Sequence, residues 1–264
     1  MKHIHKEQIK AVFFDIDGTY YDQITHTIPH SNIQAVHKLQ QAGYKVALAS
    51  ARPFSTAKNL PILEGVTWDG IVSAGGQEVY DKYYQLLHRN SFTKTELKEI
   101  FQIADKNNFP VYTVGETDFF TMDAPILDTF RSKFHLMCDT IHPYIDEDVL
   151  LITLLMGKGF CYEPYFNHMS NVRIQYTGGD NTDLFPKHVT KPSGIHQLMN
   201  HWGFPVQDYM AFGDSGSDLE MMQDACMSVA MGNGSEECRN TADFICGNSN
   251  ENGIAEFLET HLFF

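Results

Sequence analysis

Several features that would place a chain in a known class are missing here. There is no CxxC pair: the five cysteines, Cys138, Cys161, Cys226, Cys238 and Cys246, are odd in number and widely spaced. A disulfide framework or thiolate zinc site is therefore excluded as the organising principle, and reduced thiols in a cytoplasmic protein are expected. Positive charge is scarce, 19 Lys and Arg against 33 Asp and Glu, for a net charge of −14. So acidic a surface repels nucleic acid and anionic membrane, and neither is expected as a partner. The longest apolar run, 149–156, falls well short of the roughly 20 residues that span a bilayer. Residues 1–6 are polar and lead straight into an apolar strand, so no secretory leader is expected. His26 and His30 are separated by Pro29 and lack the acidic partner of an HExxH zinc site, which makes them loop residues. Internal repeats and low-complexity tracts are absent too.

What is present is enough for a core. With 43% apolar and 12% aromatic residues the chain is not disordered, and 264 residues suit one large domain or two ordinary ones. Its most pointed stretch is Phe13-Phe14-Asp15-Ile16-Asp17-Gly18-Thr19. The run 11–14 is short, apolar and aromatic, as a strand buried on both faces should be. Two carboxylates one residue apart come next, and in extended chain they project to one side. Gly18 permits a sharp turn there.

Periodicity organises the rest. A helix is expected over 31–42, started by Ser31-Asn32 and closed by Gly43, then a strand over 44–49. A helix over 53–63 and a strand over 70–73 come after it. Strand, helix, strand, helix, strand predicts a doubly wound parallel α/β core with covering helices. The pattern changes near Gln77. A hairpin over 78–80 and 85–88, a capped helix over 93–107, strands at 111–114, 150–156 and 172–176, and helices at 126–134 and 163–169 read as an inserted α+β domain. Helix, strand, helix and strand resume at 192–202, 209–212, 219–224 and 227–230. A turn at 231–234, a short strand at 243–245 and a helix over 253–262 close the chain. The core is thus expected at 1–79 and 184–264, with the insert at 80–183. Gly232-x-Gly234 lacks the remainder of a dinucleotide fingerprint, so no nicotinamide site is read there.

Ligands of open parallel sheets bind beyond the carboxyl ends of the strands. This chain places Asp15, Asp17, Ser50, Lys191, Asp214 and Asp218 there. Converging carboxylates repel, and a hard divalent cation relieves that; oxygen ligands alone favour magnesium over zinc. Ser50 offers a hydroxyl near a helix start or serves as that helix's cap; Lys191 offers a point charge. Asp218 is either a ligand or an acid that starts a helix. Arg52 either meets substrate or pairs with an acid. Together these groups suit phosphoryl transfer.

Four segments in order carry a resemblance: Asp15-Ile16-Asp17-Gly18-Thr19, Ala49-Ser50-Ala51-Arg52, 184–191 ending in Lys191, and Gly213-Asp214-Ser215-Gly216-Ser217-Asp218. The chain resembles the haloacid dehalogenase superfamily of hydrolases, in its Cof-type sugar-phosphatase branch with a large inserted α/β cap (subclass IIB). The resemblance implies a Rossmann-like core and Asp15 as the nucleophile that becomes an aspartyl phosphate. It implies Asp17 as acid and base, and Mg2+ held by Asp15, the carbonyl of Asp17 and Asp214, with Asp218 as ligand or close support. Ser50, Ala51, Arg52 and Lys191 would bind the substrate, a small phosphorylated metabolite such as a sugar phosphate, a flavin mononucleotide or pyridoxal phosphate. The insert would cover the site and select the leaving group, with Tyr112, Phe119, Phe120 and Tyr176 as core residues or stacking surfaces. Three positions depart from the family pattern: Ser217 replaces an asparagine, Ala74 the first residue of an Asn-Gly pair, and Ala51 a glycine. The alternatives are a catalytically weak phosphometabolite-binding regulatory module and a phosphomutase. Oligomeric state is not legible.

Overall fold

A computed structural model describes residues 6–115, 117–134, 136–177 and 179–262; the polar opening at 1–5 lies outside the described residues. β1 (Ala11–Phe14) is fully buried. Val12 and Phe14 pack into one apolar cluster and Ala11 and Phe13 into another, which is why its sequence is apolar throughout instead of alternating. α1 (His30–Gln41) buries Asn32, Ala35, Val36 and Leu39. It starts one residue earlier than expected: extended Pro29 precedes it, and Ser31 and Asn32 lie inside the first turn without capping it. β2 (Lys45–Ala49) comes after it. The helix expected over 53–63 breaks into α2 (Phe54–Ala57) and a 3-10 turn, Pro61–Leu63, because Pro61 has no N–H to continue the ladder. Next come β3 (Gly70–Ser73), β4 (Glu78–Asp81) and β5 (Leu86–Arg89).

The intervening elements are α3 (Lys94–Lys106), β6 (Val111–Val114), β7 (Asp118–Phe120), α4 (Ile126–Phe134), β8 (Leu151–Leu154), α5 (Glu163–Phe166), β9 (Val172–Tyr176) and β10 (Thr182–Pro186). The chain ends through α6 (Lys191–Trp202), β11 (Tyr209–Gly213), α7 (Leu219–Asp224), β12 (Met227–Ala230), α8 (Glu236–Thr241), β13 (Phe244–Ile245) and α9 (Gly253–His261). Among the described residues one sheet runs β13-β12-β11-β1-β2-β3-β4-β5 and a second β7-β6-β8-β10-β9. The first is parallel from β13 to β3, with the β4–β5 hairpin added antiparallel; the second is antiparallel throughout. The expected fold class, a parallel α/β core with a separate α+β body, is what forms.

The predicted hairpin joins a sheet other than the one expected, and β10 forms where no strand was predicted. The 78–88 hairpin extends the first sheet, since Val79 pairs with Val72 and is fully buried beside it. Leu184, read as the start of the returning core, belongs to β10 and is buried in the second sheet's cluster. Contacts accordingly divide the chain into Met1–Arg89 with Thr190–Phe264, and Asn90–Val189. No helix among the described residues is long and apolar enough to cross a membrane.

Candidate active site

β1 and β11 are hydrogen-bonded neighbours in parallel register, Phe14 against Phe212. The loops leaving the two strands therefore emerge side by side. Asp15 donates its N–H to the Phe212 carbonyl at 3.0 Å, extending the ladder one residue beyond the strand. The chain then turns back through Gly18, whose φ of +83° suits glycine. A Cβ there would lie 2.6 Å from Asp214 Oδ2, so the close approach of the two loops also requires glycine. On the β11 side, Asp218 Oδ2 accepts the N–H groups of Asp214 and Ser215, each at 3.0 Å, and shapes the loop that presents Asp214.

Lys191 is the first residue of α6. The preceding Thr190 and Ser193 cap that helix reciprocally. The Lys191 ammonium, 3% exposed, donates to Asp15 Oδ1 and to Asp218 Oδ1, each at 2.6 Å. Carboxylate oxygens of Asp15, Asp214 and Asp218 all lie within 4.8 Å of one another, and Thr19 Oγ1 donates to Asp214 Oδ1 at 3.1 Å. Burial, then the neighbouring Asp218 charge, pushes the Asp15 carboxyl up to about 7 against the opposing pull of Lys191. Burial and the Asp218 and Asp15 charges likewise hold Asp214 well above the usual carboxylate range. For Lys191 burial acts to lower the value, but the Asp15 and Asp218 carboxylates outweigh it and raise it. One ammonium facing three crowded carboxylates leaves the site short of positive charge.

The other residues singled out by sequence sit around this cluster. Arg52 grips the Asp17 carboxylate with both ends of its guanidinium, Nε at 2.5 Å and Nη2 at 2.8 Å, so of its two alternatives the structure has the pair with an acid. Gln23 Nε2 adds a third donor to Asp17 at 3.1 Å. The Asp17 carboxylate is not one of the three clustered groups. Buried Ser50 accepts the Arg52 N–H on its Oγ at 3.1 Å. It is not a helix cap, because α2 starts only after Pro53. Ala51, next in the chain, is half-buried. Ala74 and Gly75 donate their N–H groups to the carbonyls of Arg52 and Ser50, at 2.8 and 3.0 Å. Ala74 does so from the left-handed region, φ +49°. Ser217 hydrogen-bonds Ser215 at 2.9 Å. Tyr112, Phe119 and Phe120 are core residues, while Tyr176 is 40% exposed and donates to Glu163.

Sequence reasoning missed three participants. Thr19 stood out only as part of a motif, and Gln23 was not singled out at all. Asn233 was read as a turn residue, yet its Nδ2 donates to the Gly18 carbonyl at 2.8 Å. No local signal marks it, because the partner lies 215 positions away.

Comparison with known proteins agrees with this geometry. A family model described as haloacid dehalogenase-like hydrolase matches residues 12–258. The putative phosphatase YkrA of Bacillus subtilis is 31% identical over 93% of this chain and 95% of its own. The 5-amino-6-(5-phospho-D-ribitylamino)uracil phosphatase YcsE of the same organism is 24% identical over 95% and 94%. Among solved structures, BT1666 of Bacteroides thetaiotaomicron, a phosphatase of the HAD superfamily, superposes with a TM-score of 0.85 at 21% identity, covering 96% of this chain and 94% of that one. The HAD subclass IIB sugar phosphatase BT4131 does so with a TM-score of 0.81 at 24% identity, covering 95% and 98%. With nearly its whole length matched by one family and its crowded carboxylates standing where the parallel strands end, the chain belongs to the haloacid dehalogenase-like hydrolases.

Proposed function

We propose that this hydrolase is a magnesium-dependent phosphatase that cleaves a small phosphorylated metabolite, a sugar phosphate or similar monoester, through an aspartyl phosphate on Asp15. The observation that carries the reading is the Lys191 ammonium shared between buried Asp15 and Asp218, with the partly buried Asp214 carboxylate crowded beside them. The donor set fits Mg2+: it is all oxygen, it is crowded, and its Asp15 and Asp214 carboxyls are raised by burial and by neighbouring carboxylate charge, the second of which a cation offsets. Asp15 and Asp214 would hold the ion with the carbonyl of Asp17, and Asp218 would support them. When bound, the ion supplies positive charge to the phosphoryl oxygens.

The chain's own groups account for the remaining chemistry. An Asp15 oxygen attacks phosphorus while the bond to the leaving oxygen breaks, and Asp17 delivers its proton to that oxygen. Water then attacks the acyl phosphate, Asp17 takes its proton, and phosphate leaves with the Asp15 carboxylate restored. To carry a proton Asp17 must release part of the Arg52 grip, so we assign Arg52 a second partner in the substrate's anionic group. Lys191 and the Ser50 hydroxyl would hold the transferred phosphoryl group as charge develops on it. Turnover of p-nitrophenyl phosphate with and without Mg2+ tests the reading. Release of phosphate that EDTA stops and Mg2+ restores supports it. Binding without turnover indicates the regulatory module, and an isomer in place of phosphate a mutase.

A further inference from the structure

The turn Met231-Gly232-Asn233-Gly234 touches both loops that carry the clustered carboxylates. Asn233 Nδ2 donates to the Gly18 carbonyl at 2.8 Å, and its Oδ1 accepts the Ser249 N–H at 2.7 Å, so the amide is satisfied at both ends. Two residues on, the Ser235 N–H donates to the Asp214 carbonyl at 2.7 Å. Gly234 lies flat against the same backbone: a Cβ there would fall 2.9 Å from the Asp214 carbonyl oxygen and 3.1 Å from its Cα. Arg239 Nη1 donates to the carbonyls of both Gly232 and Gly234 and holds the turn from its other side. Ser249 in turn donates its hydroxyl to the buried Asp22 at 2.8 Å, anchoring the far end of the β1 loop.

We propose that Asn233 is a positioning residue for the cation site, and that its turn is a brace setting the spacing between the Asp15–Thr19 loop and Asp214. The proposal rests on the phosphatase reading. An asparagine in a turn ordinarily bonds its own backbone two residues on; this one reaches another loop instead. Within its own loop the Gly18–Thr19 peptide is held by a long bond, Thr19 N–H to the Ile16 carbonyl at 3.3 Å, and glycine adds little restriction of its own, so the shorter bond from Asn233 is the tighter hold. Were the Gly18–Thr19 peptide to rotate, it would carry with it the Thr19 backbone, whose hydroxyl donates to Asp214 Oδ1 at 3.1 Å. Asn233 fixes that peptide from one side while Ser235 and Gly234 fix the Asp214 backbone from the other. The brace thus acts on the ligands' separation, not on the phosphoryl-binding groups Lys191 and Ser50.

The test uses the full chain and two variants that disturb the brace differently, Asn233→Ala, which removes the donor, and Gly234→Ala, which wedges a methyl against Asp214. Mg2+ affinity is measured calorimetrically without substrate, and p-nitrophenyl phosphate kinetics are recorded across a Mg2+ titration. Both variants are expected to bind Mg2+ about tenfold more weakly, the worth of one hydrogen bond expressed in the bound state. The Mg2+ activation constant should rise by the same factor, while KM for p-nitrophenyl phosphate at saturating Mg2+ stays within about twofold. A purely structural turn would lower the melting temperature of the metal-free protein and leave the Mg2+ constant unmoved, and that result overturns the proposal. If Asn233→Ala does not fold, Gly234→Ala carries the test, since it keeps the asparagine. Wild-type protein that neither binds Mg2+ nor turns over substrate would overturn the phosphatase reading itself; wild-type binding shared unchanged by both variants would overturn the brace alone.

Discussion

Lys191→Met is the perturbation whose consequences are most fully set by the geometry. It removes a 3% exposed ammonium held at 2.6 Å by two carboxylates, Asp15 and Asp218, and replaces it with a side chain of similar length. Breaking a buried ion pair costs about 3–5 kcal/mol, because the partner charge is left uncompensated. The cost depends on pH with a definite sign. Asp15 already has its carboxyl raised to about 7 with Lys191 opposing the rise, so without the lysine it goes higher. A carboxyl raised in the folded state binds protons that the unfolded chain has released, so its contribution is present at low pH and lost as pH rises through the folded value. In the wild type that loss is largely over near pH 7; in the variant it continues upward, at up to about 1.4 kcal/mol per pH unit per proton. Urea unfolding in EDTA at pH 6 and pH 8 should therefore show a larger deficit for the variant at pH 8, by up to about 1.4 kcal/mol, since the wild-type carboxyl itself completes its loss over the same interval. Phosphate release at saturating Mg2+ should fall by about 10²–10³ if the ammonium also meets the phosphoryl group. A deficit equal at both pH values, or below about 1 kcal/mol, would refute the reasoning.

Other outcomes rest on single contacts. Asp15→Asn should abolish phosphate release from p-nitrophenyl phosphate and leave the metal-free melting temperature unchanged or slightly raised, since it removes a like charge from the cluster; residual full activity would exclude Asp15 as nucleophile. Ala74→Gly should stabilise by about 0.5–1 kcal/mol, because an alanine at φ +49° carries left-handed strain that exceeds the entropic cost of glycine; an unshifted or lower urea midpoint would contradict this. Burial raises Asp183 in β10 to about 6 despite its bond from Thr153. Asp183→Asn should therefore gain on the wild type by up to about 3 kcal/mol as pH goes from 4 to 7 and hold level above, read from urea midpoints; a gain confined to acid would have the wrong sign.

The fold and most of the site were legible because their signals are local. A buried strand that stops at Asp15, a helix that opens at Lys191 and another strand that stops before Asp214 each declare themselves within a few residues. Sheet membership was harder. The 78–88 hairpin is a pair of strands by pattern and β10 was not expected as a strand at all; which sheet takes each depends on Val79 meeting Val72 and on Leu184 packing into the other cluster, neither of which leaves a trace in neighbouring residues. β7, of three residues, is too short to show a period. The haloacid dehalogenase resemblance carried by four segments is upheld by the match over 12–258. The pairing of Arg52 with Asp17 and of Asn233 with Gly18 stayed hidden for the same reason as the hairpin: both are contacts between loops.

The central claim, that Asp15 carries the phosphoryl group, is open to one direct measurement. Protein turning over p-nitrophenyl phosphate in Mg2+ is quenched with borohydride, which reduces an acyl phosphate to the alcohol, and its peptides are sequenced by mass spectrometry. Homoserine at position 15, absent when EDTA replaces Mg2+, is the expected result. Steady phosphate release with position 15 unmodified, or homoserine at position 17 instead, would contradict the account.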